Sequence, residues 1–144
     1  MDKIFTILIA DRNRNVREFL RREFSELGFI IELAKDGIEL IELISFEPPP
    51  DLLICDLEMP FFNGLETLDQ LQELRPDLPI VIYTFLPEDT FEIESHKVSA
   101  FLEKTGNDVE KLKQAVLKAL KEAYPDPKPS SLFDLGSAKI AEPG

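Results

Sequence analysis

Leu52-Leu53-Ile54-Cys55 is an unbroken apolar run that stops at Asp56, with Pro60 and Gly64 close behind it. A run of this length bounded by turn residues reads as a strand buried on both faces, which a parallel sheet covered by helices provides. Pro60 cannot extend the ladder, and Asn63 followed three residues later by Glu66 signals a helix start. Asp56 is thereby placed where a buried strand gives way to its crossover loop. In an open α/β sheet, ligands bind at that edge.

The same alternation runs through the rest of the chain. Residues 4–10 (IFTILIA) are nearly all apolar and β-branched and predict a central strand ending at Asp11. Asn13 or Asn15 can cap a helix carrying Val16, Phe19, Leu20, Phe24 and Leu27, and Gly28 stands where a left-handed residue stops it. Residues 29–34 predict a second strand. Asp36-Gly37 turns into a helix of Ile38, Leu40, Ile41, Leu43 and Ile44, closed by Pro48-Pro49-Pro50. After strand three, Leu65, Leu68, Leu71 and Leu74 mark a third helix ended by Pro76. Ile80-Val81-Ile82-Tyr83 predicts a fourth buried strand ending at Thr84, and Pro87-Glu88-Asp89 a short or irregular fourth helix. Ala100-Phe101-Leu102 is a brief fifth strand that delivers Lys104, and Val109, Leu112, Val116, Ala119, Leu120 and Ala123 mark a last helix.

Five strands alternating with five helices imply an α/β fold with a parallel sheet covered on both faces. Right-handed crossovers then favour a doubly wound sheet in the order 2-1-3-4-5. With 144 residues, 44% of them hydrophobic, the chain can build one ordinary core and not two. Residues 1–124 are read as that domain, and 125–144, opening Pro125-Asp126-Pro127-Lys128-Pro129, as an extended linker or disordered tail. The formal net charge of -12 repels phosphate backbones and anionic lipid, so neither direct nucleic-acid nor membrane binding is expected. The single cysteine, Cys55, excludes an internal disulfide and suits a reducing compartment. No signal-peptide layout or membrane-length apolar run is present, which places the domain in the cytoplasm.

Asp11, Asp56, Thr84 and Lys104 close strands one, three, four and five, so all four fall on one edge of the sheet, around its switch point. With Asp56-x-x-Met59-Pro60-x-x-x-Gly64, Phe101-Leu102-Glu103-Lys104 and the supporting Asp36-Gly37 and Pro50-Asp51-Leu52, residues 3–124 resemble a receiver domain of two-component response regulators, a CheY-like domain of flavodoxin-like fold. The resemblance implies that Asp56 accepts a phosphoryl group from a histidine kinase or a phosphotransfer protein. It further implies that Lys104 pairs with the phosphoryl oxygens, that Thr84 swings its hydroxyl onto them, and that Phe101 is the aromatic switch. The residue types agree, since phosphoryl transfer needs a carboxylate nucleophile, a cation and a hydroxyl donor. The output would be a partner protein or a fused domain. Such a module is no enzyme beyond self-catalysed phosphoryl transfer and autodephosphorylation.

One departure bears on the chemistry. Receivers usually end strand one with two acidic residues that help hold Mg²⁺, whereas this chain has Asp11-Arg12. A guanidinium has no lone pair to offer, so Arg12 cannot be a metal ligand. Asp11, Asp56 and the Glu58 carbonyl can still supply oxygens to the Mg²⁺ expected for the family, but the fixed charge beside them makes binding weak or absent. Arg12 is free to fork onto Asp56 or Glu58 instead. Phe85 replaces the small residue usual after Thr84 and is expected to crowd Asp56. Thr105 replaces the proline usual after Lys104; a cis bond there would cost roughly 3 kcal/mol more than before proline, so a trans bond and an altered loop are expected. The segment from Thr84 to Lys104 is shorter than usual, which truncates the fourth helix.

Blander readings stand beside these. Asp56 can cap a turn, Thr84 can be a strand-end hydroxyl, Phe101 a core aromatic and Cys55 simple packing. His96 has no second ligand at metal spacing. Arg12, Arg14, Arg17, Arg21 and Arg22 form a basic stripe, either a solvated face with Arg14–Glu18 and Arg22–Glu26 pairs or a kinase-docking face. Two other functions remain: a phosphorylation-independent pseudo-receiver in which Arg12 holds the pocket, and, remotely, an Asp-nucleophile phosphohydrolase. The latter usually carries a second Asp where this chain has Glu58. The kinase, the output and the choice between monomer and homodimer are left open.

Overall fold

In the computed structural model, which describes residues 3–86, 98–105 and 108–125, the apolar runs form one sheet. Its strands are β1 (Thr6–Ala10), β2 (Ile30–Ala34), β3 (Leu52–Cys55), β4 (Ile80–Thr84) and β5 (Ala100–Glu103). All pairings are parallel, in the order β2-β1-β3-β4-β5. The helices among the described residues are α1 (Arg14–Glu26), α2 (Gly37–Ser45), α3 (Gly64–Leu74) and α4 (Val109–Ala123). The further helix expected after Pro87, His96 and the tail from residue 126 onward lie outside the described residues. None of the described helices is long and apolar enough to cross a membrane.

The run-on hydrophobicity of β1, β3 and β4 is explained by two cores, one on each side of the sheet. Ile7, Ile9, Leu52, Ile54 and Val81 meet Leu20 and Phe24 of α1 and Leu112, Val116 and Leu120 of α4. Their neighbours Leu8, Leu53, Cys55, Ile80 and Ile82 point the other way, onto Leu40 and Ile44 of α2 and Leu68 and Leu71 of α3. Successive strand side chains alternate faces, so a strand covered on both has no polar position. The leucines of α3 recur every three residues, short of the 3.6-residue turn, so their stripe winds around the helix. Leu68 and Leu71 are buried as a result, while Leu74 is 41% exposed.

The helix boundaries follow local chemistry. Asn13 caps α1, accepting from the Asn15 and Val16 amides at 2.8 and 3.2 Å. Gly28, at φ 99°, ends it in a left-handed turn: its own N–H bonds the Ser25 carbonyl, and that of Phe29 reaches back to Phe24. Asp36 caps α2 through the Glu39 amide at 2.9 Å. α3 begins where Asn63 and Glu66 place it, but not through a capping bond to the backbone. The Asn63 amide side chain donates to Glu66 Oε2 at 2.7 Å, and its backbone N–H goes to Thr67 Oγ1 at 2.8 Å.

At the far end of β3 from Asp56, Asp51 fastens several elements together. Its carboxylate accepts from the Thr6 amide at 2.8 Å, its own N–H donates to the Thr6 carbonyl, and Tyr124 at the end of α4 donates its hydroxyl to the Asp51 carbonyl at 2.8 Å. At the near end, the Gly37 N–H donates to the Pro60 carbonyl at 2.8 Å, which brings the loop after Asp56 onto the first turn of α2. A Cβ on residue 37 would lie 1.8 Å from the Phe61 carbonyl oxygen.

Gly37→Ala is therefore expected to push this loop away and to lower stability by about 1–3 kcal/mol, read as a fall in the urea midpoint. Cys55 is fully buried, and burial, with Asp56 and Asp11 nearby, holds its thiol pKa well above 9.0. It should stay unmodified by a thiol reagent even at about pH 9 until the chain unfolds, with labelling tracking unfolding rather than pH.

Candidate functional site

Register puts the polar strand ends together. Ala10 pairs with Cys55, so the following residues, Asp11 and Asp56, emerge side by side, and the Asp56 N–H bonds the Ala10 carbonyl at 2.9 Å. Thr84 pairs with Glu103, and the Lys104 N–H bonds the Thr84 carbonyl at 2.7 Å. Asp56 and Asp11 are 1% and 2% exposed, and Thr84 is fully buried.

Asp56 has two inequivalent oxygens. Oδ1 accepts from the Glu58 amide at 3.1 Å and from the Thr84 hydroxyl at 3.3 Å. Oδ2 is the buried side-chain polar atom left without a hydrogen bond among the described residues. Its near charge is the Lys104 ammonium, 3.8 Å away, which sits at 2.5 Å from Asp11 Oδ2. Asp11 Oδ1 is held by the Asn13 amide at 2.8 Å. Burial raises the Asp11 pKa above its ordinary value, and the hydrogen bond from Lys104 pulls it back. Two buried carboxylates thus share one cation, and leaving a buried acceptor unpaired costs about 1–3 kcal/mol. Such uncompensated groups collect at functional sites.

Arg12 takes one of its two anticipated positions. Its Nη1 donates to the Glu58 carbonyl at 3.4 Å and its Nη2 lies 3.7 Å from Glu58 Oε1. It does not clamp Asp56. This arrangement does not suit Mg²⁺, which wants about six oxygens in near-octahedral geometry. Of the three expected donors, the Glu58 carbonyl already accepts from a guanidinium and both Asp11 oxygens are engaged. Among the described residues no group of three His, Cys, Asp or Glu side chains is placed to hold a metal. The orphaned Asp56 oxygen calls for positive charge, but the residues around it do not build that octahedron.

Two residues were missed at the level of sequence. Asp108 precedes α4 yet does not cap it; its side chain accepts from the Tyr83 hydroxyl at 2.6 Å and from the Thr105 amide at 2.5 Å. Tyr83 is held above the usual phenol range by burial and by that bond to Asp108. The signal was Thr105 itself. A proline there has no N–H, whereas threonine presents one that must find an acceptor. The Lys104–Thr105 bond is trans, the one cis bond among the described residues being that before Pro48. Asp108 and Tyr83 thus brace the loop carrying Lys104, replacing a rigid turn with hydrogen bonds.

Phe85 meets the pocket through Lys104 rather than Asp56: its ring centroid is 5.1 Å from the ammonium, and the residue is 61% exposed. The Tyr83 ring lies 5.5 Å from the same ammonium. Phe101 is half-buried against the core facing α2 and α3. Along α1, the Arg14–Glu18 and Arg22–Glu26 pairs do not form. Glu18 is taken by Arg21, Arg22 lies over the Phe19 ring, and Arg17 donates to the Asp11 carbonyl at 2.7 Å.

Comparison with known proteins bears on the family and the fold. The family described as response regulator receiver domain matches residues 7–117. Response regulator MprA of Mycobacterium ulcerans is 46% identical over 78 residues, or 54% of this chain and 33% of MprA. MprA of Mycobacterium avium is 45% identical over 78 residues, covering 54% and 34%. The match spans about a third of the length of these curated relatives. Among solved structures, response regulator TrrA of Thermotoga maritima, in complex with Mg²⁺-BeF, aligns with a TM-score of 0.71 and 30% identity over 81% of this chain and 99% of TrrA. A CheY-like receiver of Methanospirillum hungatei aligns with a TM-score of 0.74 at 22% identity over 84% and 97%, which speaks to fold alone. The chain belongs to the response regulator receiver domains of two-component systems.

Proposed function

We propose that this domain is a phosphoacceptor: Asp56 takes a phosphoryl group from a histidine kinase or phosphotransfer protein in the cytoplasm and thereby switches a partner or output domain. The observation that carries this reading is Asp56 Oδ2, buried, without a hydrogen bond among the described residues, and 3.8 Å from the Lys104 ammonium. In the transfer, Oδ2 forms the new bond to phosphorus, the bond from phosphorus to the donor imidazole nitrogen breaks, and its electron pair stays with the imidazole. Catalysis of this kind is positioning plus charge stabilisation. Oδ1 is held by Thr84 and Glu58, which leaves Oδ2 as the attacking atom. Lys104 is close enough to move from Asp11 to the incoming oxygens, and Thr84 can turn its hydroxyl the same way. Phe101, on the strand next to Thr84, is the aromatic that would follow it.

A second reading, a receiver-like module that binds its partner without phosphorylation, draws support from Arg12 resting on Glu58 where the family has an acid. Acetyl phosphate separates the two. Under the phosphoacceptor reading the chain gains the mass of one phosphoryl group, the gain disappears in Asp56→Ala, and Lys104→Ala slows it by about 10²-fold or more. No mass gain at high donor concentration favours the second reading.

The brace has its own test. Tyr83→Phe leaves Asp108 Oδ1 without its donor and should lower stability by about 1–3 kcal/mol in a urea melt. If the brace positions Lys104, the variant should also transfer more slowly while fully folded.

A further inference from the structure

Phosphorylation turns a carboxylate of one negative charge into an acyl phosphate of about two, so the site gains about one further negative charge. At Asp56 the buried charges are those of Asp11, Asp56 and Lys104, which sum to a net negative value before any phosphoryl group arrives. Lys104 cannot balance the product alone, because its closer partner is Asp11. Of the guanidinium groups at the pocket's edge, Arg17 is held by the Asp11 carbonyl at 2.7 Å, and the other is Arg12. Glu58 links it to the nucleophile: the carbonyl of Glu58 accepts from Arg12, while its amide donates to Asp56 Oδ1. The Arg12 contact is long, at 3.4 Å, and the side chain is 47% exposed, so little holds the guanidinium where it rests. Its planar fork matches pairs of phosphoryl oxygens and stays charged at every working pH. The same charge repels a divalent ion from the Glu58 carbonyl and Asp56.

We propose that Arg12 does in this chain what a divalent metal does elsewhere: it binds the phosphoryl oxygens together with Lys104, so that Asp56 is phosphorylated without Mg²⁺. This rests on reading Asp56 as the phosphoacceptor. With acetyl phosphate, Asp56 Oδ2 bonds to phosphorus, the bond from phosphorus to the acetyl oxygen breaks, and the electron pair leaves with acetate. No proton or metal is needed to balance the step.

The test follows phosphorylation of the full chain by intact mass, in EDTA and in Mg²⁺, with beryllofluoride uptake followed in parallel by ¹⁹F NMR. The wild type should label and take up beryllofluoride in EDTA, with Mg²⁺ changing the labelling rate by less than about tenfold. Arg12→Ala should lose about 10²-fold or more in EDTA, and Arg12→Asp, which restores an acid, should label only when Mg²⁺ is present. Labelling of the wild type that requires Mg²⁺, or an Arg12→Ala variant that labels in EDTA as the wild type does, overturns the proposal and leaves Asp56 as the acceptor. Failure of every variant to label, Arg12→Asp in Mg²⁺ included, removes the phosphoacceptor reading and this inference with it.

Discussion

The Lys104 ammonium is the group on which the pocket depends. Two carboxylates stand at the ends of adjacent strands, 2% exposed or less, and charges taken out of water in this way cost several kcal/mol each unless they are paired. Lys104 reaches both from the end of β5, beyond the intervening β4, with only 7% of its own side chain exposed. That reach rests on the strand order observed, which places β5 on the Asp56 side of the switch point. The sheet order and the two-sided core are thus the conditions under which one amine can answer two acids.

The fold was legible because its signals were redundant. β1, β3 and β4 announce themselves as continuous apolar runs, and the turn residues between them leave little freedom in connectivity. The described helices were legible to within their caps. The α3 leucines mark the helix, although their three-residue spacing carries Leu74 into solvent. Side-chain partners were harder. Arg14 and Arg22 had well-placed glutamates in sequence, yet Glu18 is occupied by Arg21 and Arg22 lies over Phe19. Pairs of this sort at a surface differ by small energies, so spacing alone does not rank them.

In the pocket, sequence named Asp11, Asp56, Thr84 and Lys104, because a strand end fixes where its next residue emerges. It left Arg12 with two acceptors, and distance decided for Glu58. It did not name Asp108, because an Asp at a helix start reads as a cap, and the bond it makes instead depends on Tyr83, a residue remote in sequence. The common cause is that backbone position follows from local pattern, whereas the choice among nearby partners is settled by tertiary geometry.

The Tyr124 hydroxyl has a consequence beyond packing. It anchors the C-terminal end of the last helix to the Asp51 carbonyl, at the foot of the strand whose head presents Asp56. The end of α4 is therefore pinned to the floor of the sheet, the full length of β3 away from Asp56, so the last helix and the pocket take hold of the same strand at opposite ends.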